Sequence, residues 1–130
     1  MTEAVCMHLQ GDQWEIVSRA MGRARGVDVV VERHGIRMEI EAKGAGSSDP
    51  TTRNYGHEFT RGNVFTHVGE AVLKALRVIT VGQARAAIAL PDNHNHRSEM
   101  GLVRGALQRL GVIVFWVHED GTVSVEGISR

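Results

Sequence analysis

Residues 38–46, MEIEAKGAG, alternate charged and apolar side chains up to the point where the chain becomes rich in glycine. Glu39, Glu41 and Lys43 share one face of an extended strand, because successive side chains of a strand point to opposite faces. Two carboxylates and an ammonium group at a strand end could bind a divalent cation and act on a phosphate group. A solvated strand face usually shows the same alternation, so the spacing alone leaves both interpretations open.

The preceding segment, residues 27–32 (VDVVVE), is a second predicted strand, and residues 34–35 (HG) predict a two-residue hairpin turn between the two strands. With that turn, apolar residues pair with apolar residues on one face, and Asp28 faces Glu41 on the other. A slip by one residue would mix the two faces, which the burial of one face opposes. The pattern therefore places Asp28, Glu41 and Lys43 on one side, with the two opposed carboxylates about 5 Å apart at Cβ. Carboxylates that close repel each other unless a cation or water lies between them.

These residues resemble the PD-(D/E)XK nuclease superfamily, which includes many restriction endonucleases and junction resolvases. The family pattern is an Asp in one strand and (D/E)-x-K in the next, antiparallel strand, and the matching residues here are Asp28 and Glu41-Ala42-Lys43. The resemblance implies metal-dependent hydrolysis of nucleic-acid phosphodiester bonds, with Asp28, Glu41 and the Ala42 carbonyl holding Mg²⁺ or Mn²⁺. It also implies that Lys43 assists the attacking water and that Glu3, on the first helix, is an accessory catalytic residue. Some members of the superfamily have lost catalysis, so the alternative is a silent nucleic-acid-binding or protein-interaction module on the same fold.

Residues 44–66 show no clear periodicity, and stretches of this length in compact domains are usually functional or disordered. Arg53, Tyr55, His57 and Arg61 interrupt this stretch beside the predicted site. We predict that these four side chains contact the phosphates of a nucleic acid, with DNA as the preferred candidate. The alternative is a loop that is merely solvated.

Hydrophobic periodicity predicts the remaining elements. A first helix is expected over residues 2–10, a strand over 14–20, a helix over 68–79, a buried strand over 84–90 and a further helix over 100–110, followed by two strands. The order αβββαβαββ indicates an α/β domain with a mixed sheet. The resemblance implies a restriction-endonuclease-like αβββαβ core, to which a C-terminal helix and two strands are added.

Length and composition bound the function further. A chain of 130 residues predicts one domain, residues 1–130. The formal net charge is zero, which argues against strong non-specific nucleic-acid binding, yet residues 51–110 carry eight Lys and Arg against four Asp and Glu. Cys6 cannot form an internal disulfide, and the longest apolar run, residues 112–117, is too short to span a bilayer. We expect a cytoplasmic protein that does not enter the membrane, and a homodimer, since small nucleases often need two copies to cut two strands.

Two further groups of polar residues are candidates for function. His67 and Glu70, at the start of the helix over 68–79, could face the site or could be solvent-facing or capping groups. The letters HNH at residues 94–96 are too close together for the motif of HNH nucleases, and they are interpreted as a loop or the start of a helix.

Overall fold

The computed structural model describes residues 1–19, 28–44 and 61–127. The helices and strands follow one another in the order α1 (Thr2–Gly11), β1 (Glu15–Arg19), β2 (Val29–Arg33), β3 (Ile36–Ala42), α2 (Arg61–Val81), β4 (Arg85–Pro91), α3 (His94–Gly101), α4 (Arg104–Arg109), β5 (Ile113–Val117) and β6 (Val123–Glu126).

The strands form one mixed sheet in the order β1-β2-β3-β4-β5-β6. The pairs β3–β4 and β4–β5 are parallel, and the other three pairs are antiparallel. Helix α1 covers one face of the sheet, and α2, α3 and α4 cover the other, each with its own buried apolar cluster. The expected α/β class with a mixed sheet is confirmed. The order αβββαβ from α1 to β4 is consistent with the restriction-endonuclease-like core that the resemblance implies.

The register of the β2–β3 hairpin is the one that the alternating pattern predicts. Val29 pairs with Ile40, and Val31 pairs with Met38. All four side chains are buried in the apolar cluster beneath α1. The opposite face of the same strands, which carries the acidic residues, therefore turns towards α2.

Helix α2 begins at Arg61, inside the stretch 44–66 that was expected to lack regular structure, so that expectation is wrong for its last six residues. Val64 is buried, four residues before the buried Val68, and it extends the apolar stripe of the helix by one turn. Glycine and asparagine precede Val64, and because both are weak helix formers the sequence does not predict a helical turn there. Although α2 has 21 residues, neither it nor any other helix within the described ranges is long and apolar enough to cross a membrane.

The single helix predicted over residues 100–110 is also wrong, because the chain forms two short helices, α3 and α4, before β5. Met100 and Leu107 are buried as expected, but Val103 and Leu110 are exposed, so only part of the apolar pattern reflects burial. Glycines lie two residues to either side of Val103, and they lower the helix propensity where the chain bends. The C-terminal addition to the core is therefore two helices and two strands.

The hairpin turn yields a test of the register. His34 and Gly35 both have positive φ, +52° and +77°, as in the tight turns that favour an Asn-Gly pair. We expect Gly35→Ala to lower the free energy of unfolding by about 1 to 2 kcal/mol, because the space around Gly35 is open and only the left-handed backbone opposes a Cβ atom. The matched variant His34→Asn should keep or raise stability, and urea unfolding measures both. Equal losses in the two variants would contradict this account of the turn.

Candidate active site

Asp28 lies one residue before β2, and its side chain closes the open end of the hairpin. Its Oδ2 accepts a hydrogen bond from the backbone N–H of Ala42, over a distance of 2.8 Å. Asp28 is thereby held beside the Glu41-Ala42-Lys43 segment. The structure brings together the acidic residue and the E-x-K segment that the sequence predicts to be neighbours.

Glu41 is the buried centre of this cluster. The residue is only 3% exposed, so the interpretation of this strand face as solvated is wrong for Glu41. Burial raises the pKa of Glu41, and the charge of Asp28 raises it further, while the hydrogen bond from Lys74 and the charge of Lys43 act in the opposite direction. The Oε1 atom of Glu41 has no hydrogen-bond partner from the described part of the chain. A buried carboxylate oxygen without a hydrogen-bond partner destabilises the folded protein, and a cation bound to that oxygen would offset the loss.

Two lysines approach the other oxygen of Glu41. Lys74 Nζ lies 2.8 Å from Glu41 Oε2, and Lys43 Nζ lies 3.6 Å from the same atom. Lys43 also contacts Glu70, with 3.2 Å between Nζ and Oε2. Its backbone N–H donates to the carbonyl oxygen of Ala89 at 3.0 Å, which continues the β3–β4 pairing past the end of β3. The cluster thus lies at the carboxyl ends of two parallel strands, where α/β sheets commonly bind ligands.

One face of helix α2 completes the cluster. The sequence does not single out Lys74, and it leaves Glu70 and His67 open between the site and solvent. Glu70 lies beside Lys43, whose hydrogen bond lowers the pKa of Glu70. Burial, together with the positive charge of Lys43, lowers the pKa of His67. The spacing of the three, at i, i+3 and i+7, is the signal that could have grouped them on one helix face.

Glu3 stands apart from this cluster. Its side chain is 82% exposed and forms an ion pair with Arg19, with 3.0 Å between Oε1 and Nη2. Helix α1, which carries Glu3, packs on the face of the sheet opposite α2. The accessory role that the resemblance implies for Glu3 stays a prediction.

The expected nucleic-acid contacts fall largely outside the described part of the chain. This applies to Arg53, Tyr55 and His57, and for Arg61 the structure describes only its place as the first residue of α2. Their role also stays a prediction.

The segment 94–96 begins helix α3, as its interpretation as a helix start requires. Asn93 caps the helix by accepting a hydrogen bond from the backbone N–H of His96, and its Oδ1 also lies 2.8 Å from Nδ1 of that histidine. His96 is fully buried, and burial, with a smaller effect from His67, lowers its pKa to about 4. A neutral His96 therefore packs against the cap of its own helix.

The carboxylates of this cluster can be compared with what a divalent cation requires. Within the described ranges, no three His, Cys, Asp or Glu side chains come together as a metal site. Mg²⁺ needs fewer, because it is usually held by one or two carboxylates, while waters and substrate phosphates fill the other positions. Asp28 and the buried, unpartnered Oε1 of Glu41 provide hard oxygen ligands of this kind. The residues present therefore fit Mg²⁺ or Mn²⁺.

Comparison with known proteins adds little to this geometry. No family model matches the chain, and no curated protein matches it. One similar solved structure is that of SfsA from Pyrococcus furiosus in complex with Ca²⁺, with a TM-score of 0.42 and 16% sequence identity, covering 97% of this chain and 58% of that chain. This chain thus spans less than two thirds of the length of that protein. A likeness of this degree assigns neither a family nor a function.

The contact between Asp28 and Ala42 yields a matched pair of variants. Asp28→Ala removes the acceptor and leaves a partly buried N–H group without a partner, which should cost about 1 to 3 kcal/mol of unfolding free energy. Asp28→Asn keeps an acceptor oxygen and removes the charge that repels Glu41, so its stability should stay close to that of the wild type. Chemical denaturation compares the two, and equal losses would show that the hydrogen bond does not hold the hairpin end.

Proposed function

We propose that this protein is a metal-dependent nuclease that hydrolyses nucleic-acid phosphodiester bonds. The observation that carries the proposal is the buried Glu41 carboxylate, with one oxygen left without a protein hydrogen bond in the described ranges, beside Asp28 and two residues before Lys43. Two carboxylates this close repel each other, and a cation between them would relieve that repulsion.

Each residue has a distinct part in the proposed reaction. Asp28 and Glu41 would hold the metal ion, with the Ala42 carbonyl as a further ligand. A bound Mg²⁺ supplies Lewis-acid stabilisation of the charge that develops on the phosphoryl group. Lys43, whose ammonium is positioned by Glu41 and Glu70, would orient the attacking water and balance negative charge on the phosphate.

DNA is the proposed substrate, and four residues from the middle of the chain are its proposed contacts. Arg53, Tyr55, His57 and Arg61 precede or begin α2, the helix that delivers Lys74 to the site. Arginine side chains are well suited to phosphate, because their planar guanidinium group can donate two parallel hydrogen bonds. A homodimer would place a second site at the second strand of a duplex.

A second candidate function is a silent nucleic-acid-binding or protein-interaction module on the same fold. The observation that favours it is the 2.8 Å ion pair between Lys74 and Glu41, because a protein cation there already balances the charge of the carboxylate that a metal ion would need. The two functions differ in metal binding and in cleavage.

We expect purified protein to cut DNA in the presence of Mg²⁺ or Mn²⁺ and not with a chelator. Supercoiled plasmid, single-stranded DNA and branched DNA are the substrates to compare. Glu41→Gln and Lys43→Met should each lower the cleavage rate by roughly 100-fold or more, because each removes a group that acts on the reacting atoms.

Glu39→Gln is the matched control, since Glu39 lies on the same strand and the same face two residues earlier and pairs with Arg37. It should cut at the wild-type rate. Cleavage that is indifferent to Glu41→Gln and Lys43→Met would reject the site, and metal binding without any cleavage would favour the silent module.

The proposed DNA contacts are tested by salt dependence. Arg53→Ala and Arg61→Ala should each weaken DNA binding and lower the slope of log K against log salt by about 1, because each removes one phosphate contact. Arg109→Ala, in helix α4, is the control and should leave both quantities unchanged. Titrations with a labelled DNA at several salt concentrations measure them. Wild-type slopes in the first two variants would exclude these contacts.

A further inference from the structure

The chain uses its two kinds of basic side chain very unevenly. Of the 15 lysine and arginine residues, only two are lysines, and both of them, Lys43 and Lys74, lie within 4 Å of Glu41. Arginine presents a planar fork of donors, whereas lysine presents a compact point charge on a flexible stem. Both lysines of the chain therefore lie where a compact cation contacts the buried carboxylate of Glu41.

We propose that Lys74 is a resident cation of the site, whose ammonium group balances Glu41 in the metal-free protein and must withdraw when a divalent metal ion binds. This inference rests on the proposed function and deepens it, because it names the group with which the metal competes. Lys74 is then a positioning residue for Glu41, and Lys43 keeps the role of acting on the water.

The distances explain why the two cations compete. Lys74 Nζ is 2.8 Å from one oxygen of Glu41, so a divalent cation on the other oxygen of the same carboxylate would lie a few ångströms from a positive charge. Repulsion between charges at such distances amounts to several kcal/mol at the effective dielectric constant found near protein surfaces, about 20. The metal gains its full attraction to Glu41 and Asp28 only if that ammonium moves away.

Of the two lysines, Lys74 has the more exposed side chain, with 35% of its surface accessible to solvent. The Lys43 side chain is 16% exposed and is held by Glu70 as well as by Glu41. Lys43 would keep its contact with Glu70 at the strand end if Lys74 withdrew from Glu41.

The test compares Lys74→Met with Arg77→Met in metal-free and metal-loaded protein. Arg77 is an exposed cation on the same helix, three residues further on, which makes it a matched control for charge. We expect Lys74→Met to lower the melting temperature of the metal-free protein and to raise the Mn²⁺ affinity measured by calorimetry by about tenfold. Arg77→Met should change neither quantity, and both measurements are independent of cleavage.

The possible outcomes are distinct. Tighter Mn²⁺ binding by Lys74→Met than by the wild type supports the inference, and so does binding by the variant alone. Binding by the wild type that is equal or stronger than that of Lys74→Met would overturn it, since Lys74 would then help to hold the metal rather than oppose it. Absence of Mn²⁺ binding in both proteins would reject the metal site of the proposed function, and the inference with it.

Discussion

An ionised carboxylate loses several kcal/mol of hydration when it is buried, unless cations and hydrogen bonds replace the lost water. Glu41 is almost completely buried, and the groups that replace water around one of its oxygens are the ammonium groups of Lys74 and Lys43. These lysines come from two different elements, the segment after β3 and helix α2. The ion pairs therefore tie the position of α2 to the end of β3, and the geometry of the cluster depends on both.

The burial and charge pairing of Glu41 also constrain the register of the β2–β3 hairpin. A slip of one residue between β2 and β3 would turn Glu41 towards the apolar cluster beneath α1, where Ile40 now packs and where the structure offers no cation from α2. The same slip would separate Asp28 from the backbone N–H group of Ala42, whose hydrogen bond Asp28 now accepts. Burial of apolar residues on one face and pairing of charges on the other thus favour the same register, and such agreement between independent interactions gives a chain one structure rather than several.

The hairpin could be predicted from the sequence because its information is local. Strand periodicity and the length of a tight turn determine which residues face each other, and Asp28, Glu41 and Lys43 came together as expected. Lys74 could not be predicted in the same way, because its contact with Glu41 depends on how α2 is rotated about its axis and on how deeply it packs against β3. The early start of α2 could not be predicted for a related reason, because burial of Val64 in the core overrides weak local propensity. The break between α3 and α4 follows instead from the glycines around Val103, whose low helix propensity interrupts an apolar pattern that suggested one helix.

The formal charges of the cluster show how a metal ion and a substrate would fit together. Asp28, Glu41 and Glu70 bring three negative charges, Lys43 and Lys74 bring two positive charges, and burial together with Lys43 lowers the pKa of His67, which favours its neutral form. The metal-free cluster therefore carries one net negative charge, and a divalent cation that displaces the ammonium group of Lys74 into water would leave it neutral. A phosphodiester, which brings a single negative charge, would then meet a divalent cation in a neutral cluster. The same arithmetic without the metal would add a phosphate to a cluster that is already negative. Phosphate binding at Glu41 is thus electrostatically favourable only after a cation has entered.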